Sequence, residues 1–152
     1  SRSQQLAKVW QKYNAPVVGC MVTKNPEDGT RYGFVAGKEV EPGVIKVDKI
    51  IEKPGKGMAP SLYATVGGGI FTPEVMEYYA DAAEKTDGEV VYVTALEKLI
   101  ASGKPVYACA IKGQYYDCGN KLEYIKTIID LALKNEEMGP ALRDYINTLR
   151  LS

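Results

Sequence analysis

The stretch Tyr115-Tyr116-Asp117-Cys118-Gly119-Asn120-Lys121 carries the most informative set of side chains in this sequence. An aspartate at a strand end, a glycine that permits close backbone approach and a capped helix start would suit a metal-bound phosphate. The carboxylate of Asp117 can hold Mg²⁺, and free N–H groups of the first helical turn can face anionic oxygens. The same residues also suit an ordinary turn ahead of a cap, and taken alone they favour that plainer use. Ile50-Ile51-Glu52-Lys53-Pro54 is the second candidate. A buried strand would end in an acid and a base before proline turns the chain away. Glu52 can accept hydrogen bonds from sugar hydroxyls and Lys53 can neutralise a phosphate; a solvated charge pair is the simpler alternative. Tyr32-Gly33 and Gly67-Gly68-Gly69 are the third, because glycines at strand ends admit a ligand to the main chain. Bulges or turns would explain them equally. Gly55-Lys56-Gly57 lacks phosphate-loop spacing and a following helical pattern.

Positioning these groups requires strands and helices in alternation. Leu6, Val9, Trp10 and Tyr13 form an amphipathic helical stripe that Asn14 and Pro16 terminate. Val17 to Val22 reads as a buried strand, and the turn-rich Lys24 to Gly29 ends it. A short strand is predicted through Tyr32 to Val35, a longer one over Val44 to Glu52, and a loop over Pro54 to Pro60. Leu62 to Val66 leads through glycines to Ile70-Phe71. Thr72-Pro73-Glu74 then opens a helix whose inner face is Val75, Met76 and Tyr79. A further helix over 91–101, a strand from Val106 to Ile111, and helices over 121–134 and 140–150 complete the pattern. Asn120 and Glu123 suggest a capping pair. The expected class is α/β with a mixed sheet flanked by helices.

Composition excludes several chemistries. The chain has no histidine, which removes Ser-His and Cys-His nucleophile pairs and imidazole metal ligands. Cys20, Cys109 and Cys118 are odd in number and lack metal-ligand spacing, so free thiols in a reducing cytoplasm are expected. Nineteen basic and nineteen acidic residues cancel, and no basic stripe points to nucleic acid. No apolar run has membrane-spanning length, and the first residues lack a signal-peptide pattern.

Taken in order, these segments resemble the second half of the bacterial UTP–glucose-1-phosphate uridylyltransferases. Arg31-Tyr32-Gly33, Ile51-Glu52-Lys53-Pro54, Val66-Gly67 with Ile70-Phe71-Thr72-Pro73-Glu74, Gly88-Glu89, and Tyr116-Asp117-Cys118-Gly119-Asn120-Lys121 carry the resemblance. It implies a partial nucleotide-diphospho-sugar transferase (Rossmann-like) fold. By the same resemblance Glu52 binds glucose hydroxyls, Lys53 binds the sugar-linked phosphate and serves catalysis, and Gly33, Val66 and Gly67 bring backbone to the sugar. Asp117 becomes a catalytic carboxylate for Mg²⁺. The implied partners are glucose 1-phosphate and UDP-glucose, with UTP held only together with the family's N-terminal nucleotide-binding half, so the chain alone is expected to be inactive. Residues 1–119 would form the sugar-phosphate part. Residues 120–152 would form a helical segment for oligomerisation, and a homo-oligomer is expected. A sheet edge left open by the absent half is expected as well. Gly68 and Gly69 stand where the family often has Arg-Tyr, and Val91 and Thr94 where it often has Gln and Asp. A non-catalytic assembly module is the alternative from another class.

Overall fold

The computed structural model describes residues 1–84 and 92–149. The chain divides into two compact units, Ser1–Lys112 and Gly113–Ser152. In the first unit helix α1 (Arg2–Tyr13) precedes strand β1 (Val17–Val22), followed by β2 (Phe34–Glu41), β3 (Val44–Ile51) and β4 (Tyr63–Ile70). Helices α2 (Pro73–Glu84) and α3 (Tyr92–Ala101) and strand β5 (Tyr107–Ala110) complete it. The second unit contains α4 (Lys121–Lys134) and α5 (Gly139–Thr148). Gly88, Glu89 and Val91, singled out above, lie outside the described residues.

The sheet is mixed, as expected, and its described strands close on themselves. The five strands close in the order β1-β4-β2-β3-β5. Every pairing is antiparallel except that of β1 with β5. Closure follows from the β2–β3 hairpin. The Pro42-Gly43 turn, with Gly43 at φ 79°, swings β3 across to pair Val44 with Cys109 and Lys46 with Tyr107. The seam between β2 and β4 is short, a single pair of Phe34 with Ala64, so closure shortens the expected edge instead of pairing it along its length.

Strand alternation divides the core in two. Val17 on β1 packs with Leu6 and Val9 of α1 and with Tyr107 and Cys109 of β5. Val18 and Cys20 face the opposite way, into a cluster with Val35, Ile45, Ile50, Val75, Leu96, Leu99 and Val106. Each fully buried aliphatic side chain contributes roughly 1.5–3 kcal/mol, so this larger cluster dominates the stability of the first unit. Helix α1 begins in a Ser1–Gln4 capping box and ends at Asn14, whose φ of 47° gives a left-handed cap. On α2, Val75 and Tyr79 face inward, but Met76 is exposed because adjacent helical positions point about 100° apart.

Candidate functional site

Gly33 immediately precedes β2 and Glu52 immediately follows β3, and the pairing of Phe34 with Ile51 sets the two side by side. A Cβ built on Gly33 would lie 2.6 Å from Glu52 Oε2 and 2.9 Å from Thr65 Oγ1. Any other residue there would displace the carboxylate. Thr65, on β4, donates from its N–H (2.7 Å) and its hydroxyl (3.2 Å) to the Gly33 carbonyl. Gly33 and Thr65 are buried, whereas Glu52 and Lys53 are exposed. The arrangement is an exposed carboxylate seated over a tightly pinned backbone, with a lysine as the next residue in the chain. Such a group accepts hydrogen bonds from hydroxyls without moving the strands beneath.

Lys53 adopts φ 45°, a left-handed conformation that costs a side-chain-bearing residue about 1–2 kcal/mol. The segment beyond it is tied down: Gly55 N–H donates to the Gly29 carbonyl at 2.9 Å and Gly57 N–H to the Pro26 carbonyl at 3.0 Å. The chain thus turns sharply at Lys53, the residue after Glu52 at the strand exit.

The glycine run of β4 forms a bulge. β1 steps from Val18 to Cys20 while β4 runs from Gly69 back to Thr65, so Val66, Gly67 and Gly68 arch out of the ladder. Gly67 and Gly68 have positive φ, and the Arg2 guanidinium caps the arch by donating to the carbonyls of Val66 (2.6 Å), Gly67 and Gly68 (3.1 Å). Val66 is buried and Gly67 exposed.

Tyr92, at the start of α3, completes this region. Its hydroxyl hydrogen-bonds the Thr65 side chain, and Glu52 and Arg2 lie within electrostatic reach. Burial raises its pKa above the ordinary tyrosine value, the Thr65 bond acting in the opposite direction. Its ring lies 5.4 Å from that of Phe71. Thr65, Tyr92 and Arg2 were not among the residues singled out in the sequence. Thr65 gives a faint signal, a hydroxyl on the buried side of an apolar strand, whereas Tyr92 and Arg2 give none. Thr94 is exposed on α3.

Asp117 belongs to the second unit. Its Oδ1 accepts from Gly119 N–H at 3.0 Å, the geometry of an aspartate turn. Asn120 then caps α4, its Oδ1 accepting from Leu122 (3.0 Å) and Glu123 (3.1 Å) N–H groups. Those two N–H groups, expected to be free for an anion, are therefore occupied by the cap. Glu123 pairs with Lys126 at 2.9 Å. Among the described residues no three His, Cys, Asp or Glu side chains converge as a metal-holding group. Asp117 can supply one carboxylate to Mg²⁺, an ion commonly held by one or two carboxylates plus substrate phosphate.

The family model for nucleotidyl transferases matches residues 2–133. This chain belongs to the nucleotidyl transferase family. Among curated relatives, the UTP–glucose-1-phosphate uridylyltransferase of Staphylococcus epidermidis is 35% identical over 147 residues, covering 96% of this chain and 50% of the relative. A second enzyme of that name, from Staphylococcus saprophyticus, is 32% identical over 149 residues, covering 98% and 51%. The chain thus spans about half the length of the curated relatives it matches. Among solved structures, a UDP-glucose pyrophosphorylase complexed with UDP-glucose superposes with a TM-score of 0.79 at 30% identity, covering 89% of this chain and 50% of that one. A UTP-bound UDP-glucose pyrophosphorylase of Acinetobacter baumannii gives 0.79 at 23% identity and shares the fold. Gly33, Glu52, Lys53, Val66, Gly67 and Asp117 all fall within the nucleotidyl transferase match, whereas α5 lies beyond it.

Proposed function

We propose that this chain is the sugar-phosphate-binding portion of a UTP:glucose-1-phosphate uridylyltransferase. The observation that carries this reading is the Glu52 carboxylate seated over Gly33 and Thr65, with Lys53 following it in a left-handed turn. Glu52 accepts hydrogen bonds from glucose hydroxyls and Lys53 neutralises the sugar-linked phosphate. Gly33 and the Val66–Gly67 arch bring main chain close to the sugar ring. Asp117 contributes a carboxylate to Mg²⁺, which when bound offsets phosphate charge. In the reaction the glucose 1-phosphate oxygen attacks the α-phosphorus of UTP and pyrophosphate leaves. Such a transfer depends on positioning and charge neutralisation rather than on a protein nucleophile, which accords with the absence of histidine. The contacts to uracil and triphosphate are assigned to the half of the relatives that this chain does not span, so the chain alone is inactive in this reading. Free Cys20, Cys109 and Cys118 support a cytoplasmic setting. No described helix is long and apolar enough to cross a membrane.

Calorimetric titration with UDP-glucose and with glucose 1-phosphate, with and without Mg²⁺, tests the reading. Binding in the millimolar range or tighter is expected, about −4 kcal/mol or stronger, and Glu52→Ala should abolish it. Equal binding by Glu52→Ala would overturn the assignment.

A second reading, a non-catalytic assembly module, rests on α4. Leu122, Ile125 and Ile129 are 59%, 53% and 38% exposed, and Ile128 and Leu131 are about as open. Exposed apolar clusters of this kind mark association surfaces. Concentration-dependent light scattering, suppressed by Ile125→Lys, would favour this reading. A monomer at all concentrations would remove it.

A further inference from the structure

The turn between β1 and β2 has no part in sugar-phosphate binding as described, yet it encloses a carboxylate. Asp28 is only 6% exposed. Its oxygens accept from the Thr23 hydroxyl at 2.6 Å and the Asn25 amide at 3.4 Å, and the Arg31 guanidinium approaches to 3.6 Å. Burying a carboxylate is costly unless hydrogen bonds and a counter-charge compensate. Here the surrounding loop supplies both. The carbonyl of Asp28 also accepts from the N–H groups of Arg31 and Tyr32, each at 3.0 Å.

Two segments of the candidate site are attached to this turn. On one side, the Tyr32 N–H bond to Asp28 fixes the approach of the chain to Gly33. On the other, the Gly29 carbonyl holds Gly55 and the Pro26 carbonyl holds Gly57, immediately beyond Lys53. Gly29 must lack a side chain, because a Cβ there would strike the Gly55 carbonyl oxygen. The Glu27–Lys56 ion pair spans the same junction.

We propose that Asp28 is a positioning residue that holds both rims of the sugar-phosphate site, Tyr32–Gly33 and Lys53–Gly57, through one buried hydrogen-bonded turn. What the site binds rests on the function proposed above; the clamp itself rests on these contacts. Losing the carboxylate frees both rims together, and misplacing a binding group by an ångström is expensive in affinity.

The test uses the full 152-residue chain carrying Asp28→Ala, Thr23→Val or Thr23→Ser. Amide hydrogen exchange at Tyr32, Gly55 and Gly57 is compared with exchange at Val47 and Tyr107, whose N–H groups bond Val106 and Pro16 in the sheet. UDP-glucose affinity is measured in parallel. Asp28→Ala should accelerate exchange at the three rim amides by about tenfold or more while leaving Val47 and Tyr107 unchanged. UDP-glucose affinity should fall by about tenfold or more. Thr23→Val, which removes a donor without changing shape, should act in the same direction, and Thr23→Ser should restore the native values. Unchanged rim exchange in Asp28→Ala would overturn the proposal. So would equal acceleration at Val47 and Tyr107, or loosened rims with native affinity. A native chain that fails to bind UDP-glucose would sink the sugar-phosphate reading alone, and exchange would then decide the role of Asp28.

Discussion

Lys53 places a functional group in an unfavourable backbone state. Its φ of 45° is tolerated more readily by glycine, and its exposed ammonium makes no ion pair among the described residues. Strain of this kind concentrates where function requires a particular geometry. Lys53→Gly should therefore stabilise the fold by up to about 1 kcal/mol, the relieved strain partly offset by the chain entropy of glycine. It should also weaken glucose 1-phosphate binding. Lys53→Ala should lose the same affinity without the gain in stability. Thermal melts and calorimetry of the two variants check this, and equal destabilisation by both would mean that the lysine side chain supports the fold instead. At this scale the sequence was partly legible. The glycine of Tyr32-Gly33 and the acid–base pair at the strand exit were visible as types at strand ends. Their contact was not, because it depends on hairpin register. Thr65 and Tyr92 escaped notice because a buried hydroxyl is defined by its partners, which lie 32 residues away in sequence for the Thr65–Gly33 bond.

The elements were more legible than their contacts. β1 and α4 occupy the predicted ranges, since each combines an unbroken apolar pattern with clear stop signals. β2 was predicted over only a few residues, yet it runs from Phe34 to Glu41. Its second half is exposed and carries Lys38 and Glu39, so it lacks the alternation that reveals a strand. Its last residue meets α1: Tyr13 donates to Glu41 and Lys12 pairs with the same carboxylate, while the Tyr13 ring stacks at 4.0 Å on that of Tyr107 in β5. The Lys12 bond first, and then that of Tyr13, holds the Glu41 carboxyl below its ordinary range. A depressed carboxyl pKa stabilises the fold above the unfolded value and loses that contribution as pH falls through the folded one. The hydrogen bond to Glu41, followed by burial, pushes Tyr13 up to about 12, so its contribution holds below 10 and disappears as pH rises through about 12. The docking of α1 should therefore loosen at both extremes of pH. Trp10, the single tryptophan, lies on that helix and reports the change by fluorescence. Glu41→Gln should flatten both limbs, and an unaltered pH profile in that variant would show that the contact does not anchor α1.

For the whole molecule, closure of the strand ring is the feature that local sequence did not disclose. The β1–β5 and β3–β5 pairings join segments separated by most of the first unit, and periodicity carries no record of such partners. The closed ring also changes what the chain can do alone. The buried apolar side chains of the described residues run from Leu6 to Cys109, so all of them lie in Ser1–Lys112. At that size a domain buries enough surface to fold independently. A protein ending at Lys112 should therefore unfold cooperatively, at a melting temperature within a few degrees of the full chain, a shift of about 1 kcal/mol or less. Sugar-phosphate binding through Glu52 and Lys53 should persist in it, while any association through α4 should vanish. Calorimetric melts and light scattering on the two proteins provide the comparison. A broad, non-cooperative transition in the shorter protein would mean that the helical unit completes the core. The ring would then need Gly113–Ser152 as much as it needs its own hairpin.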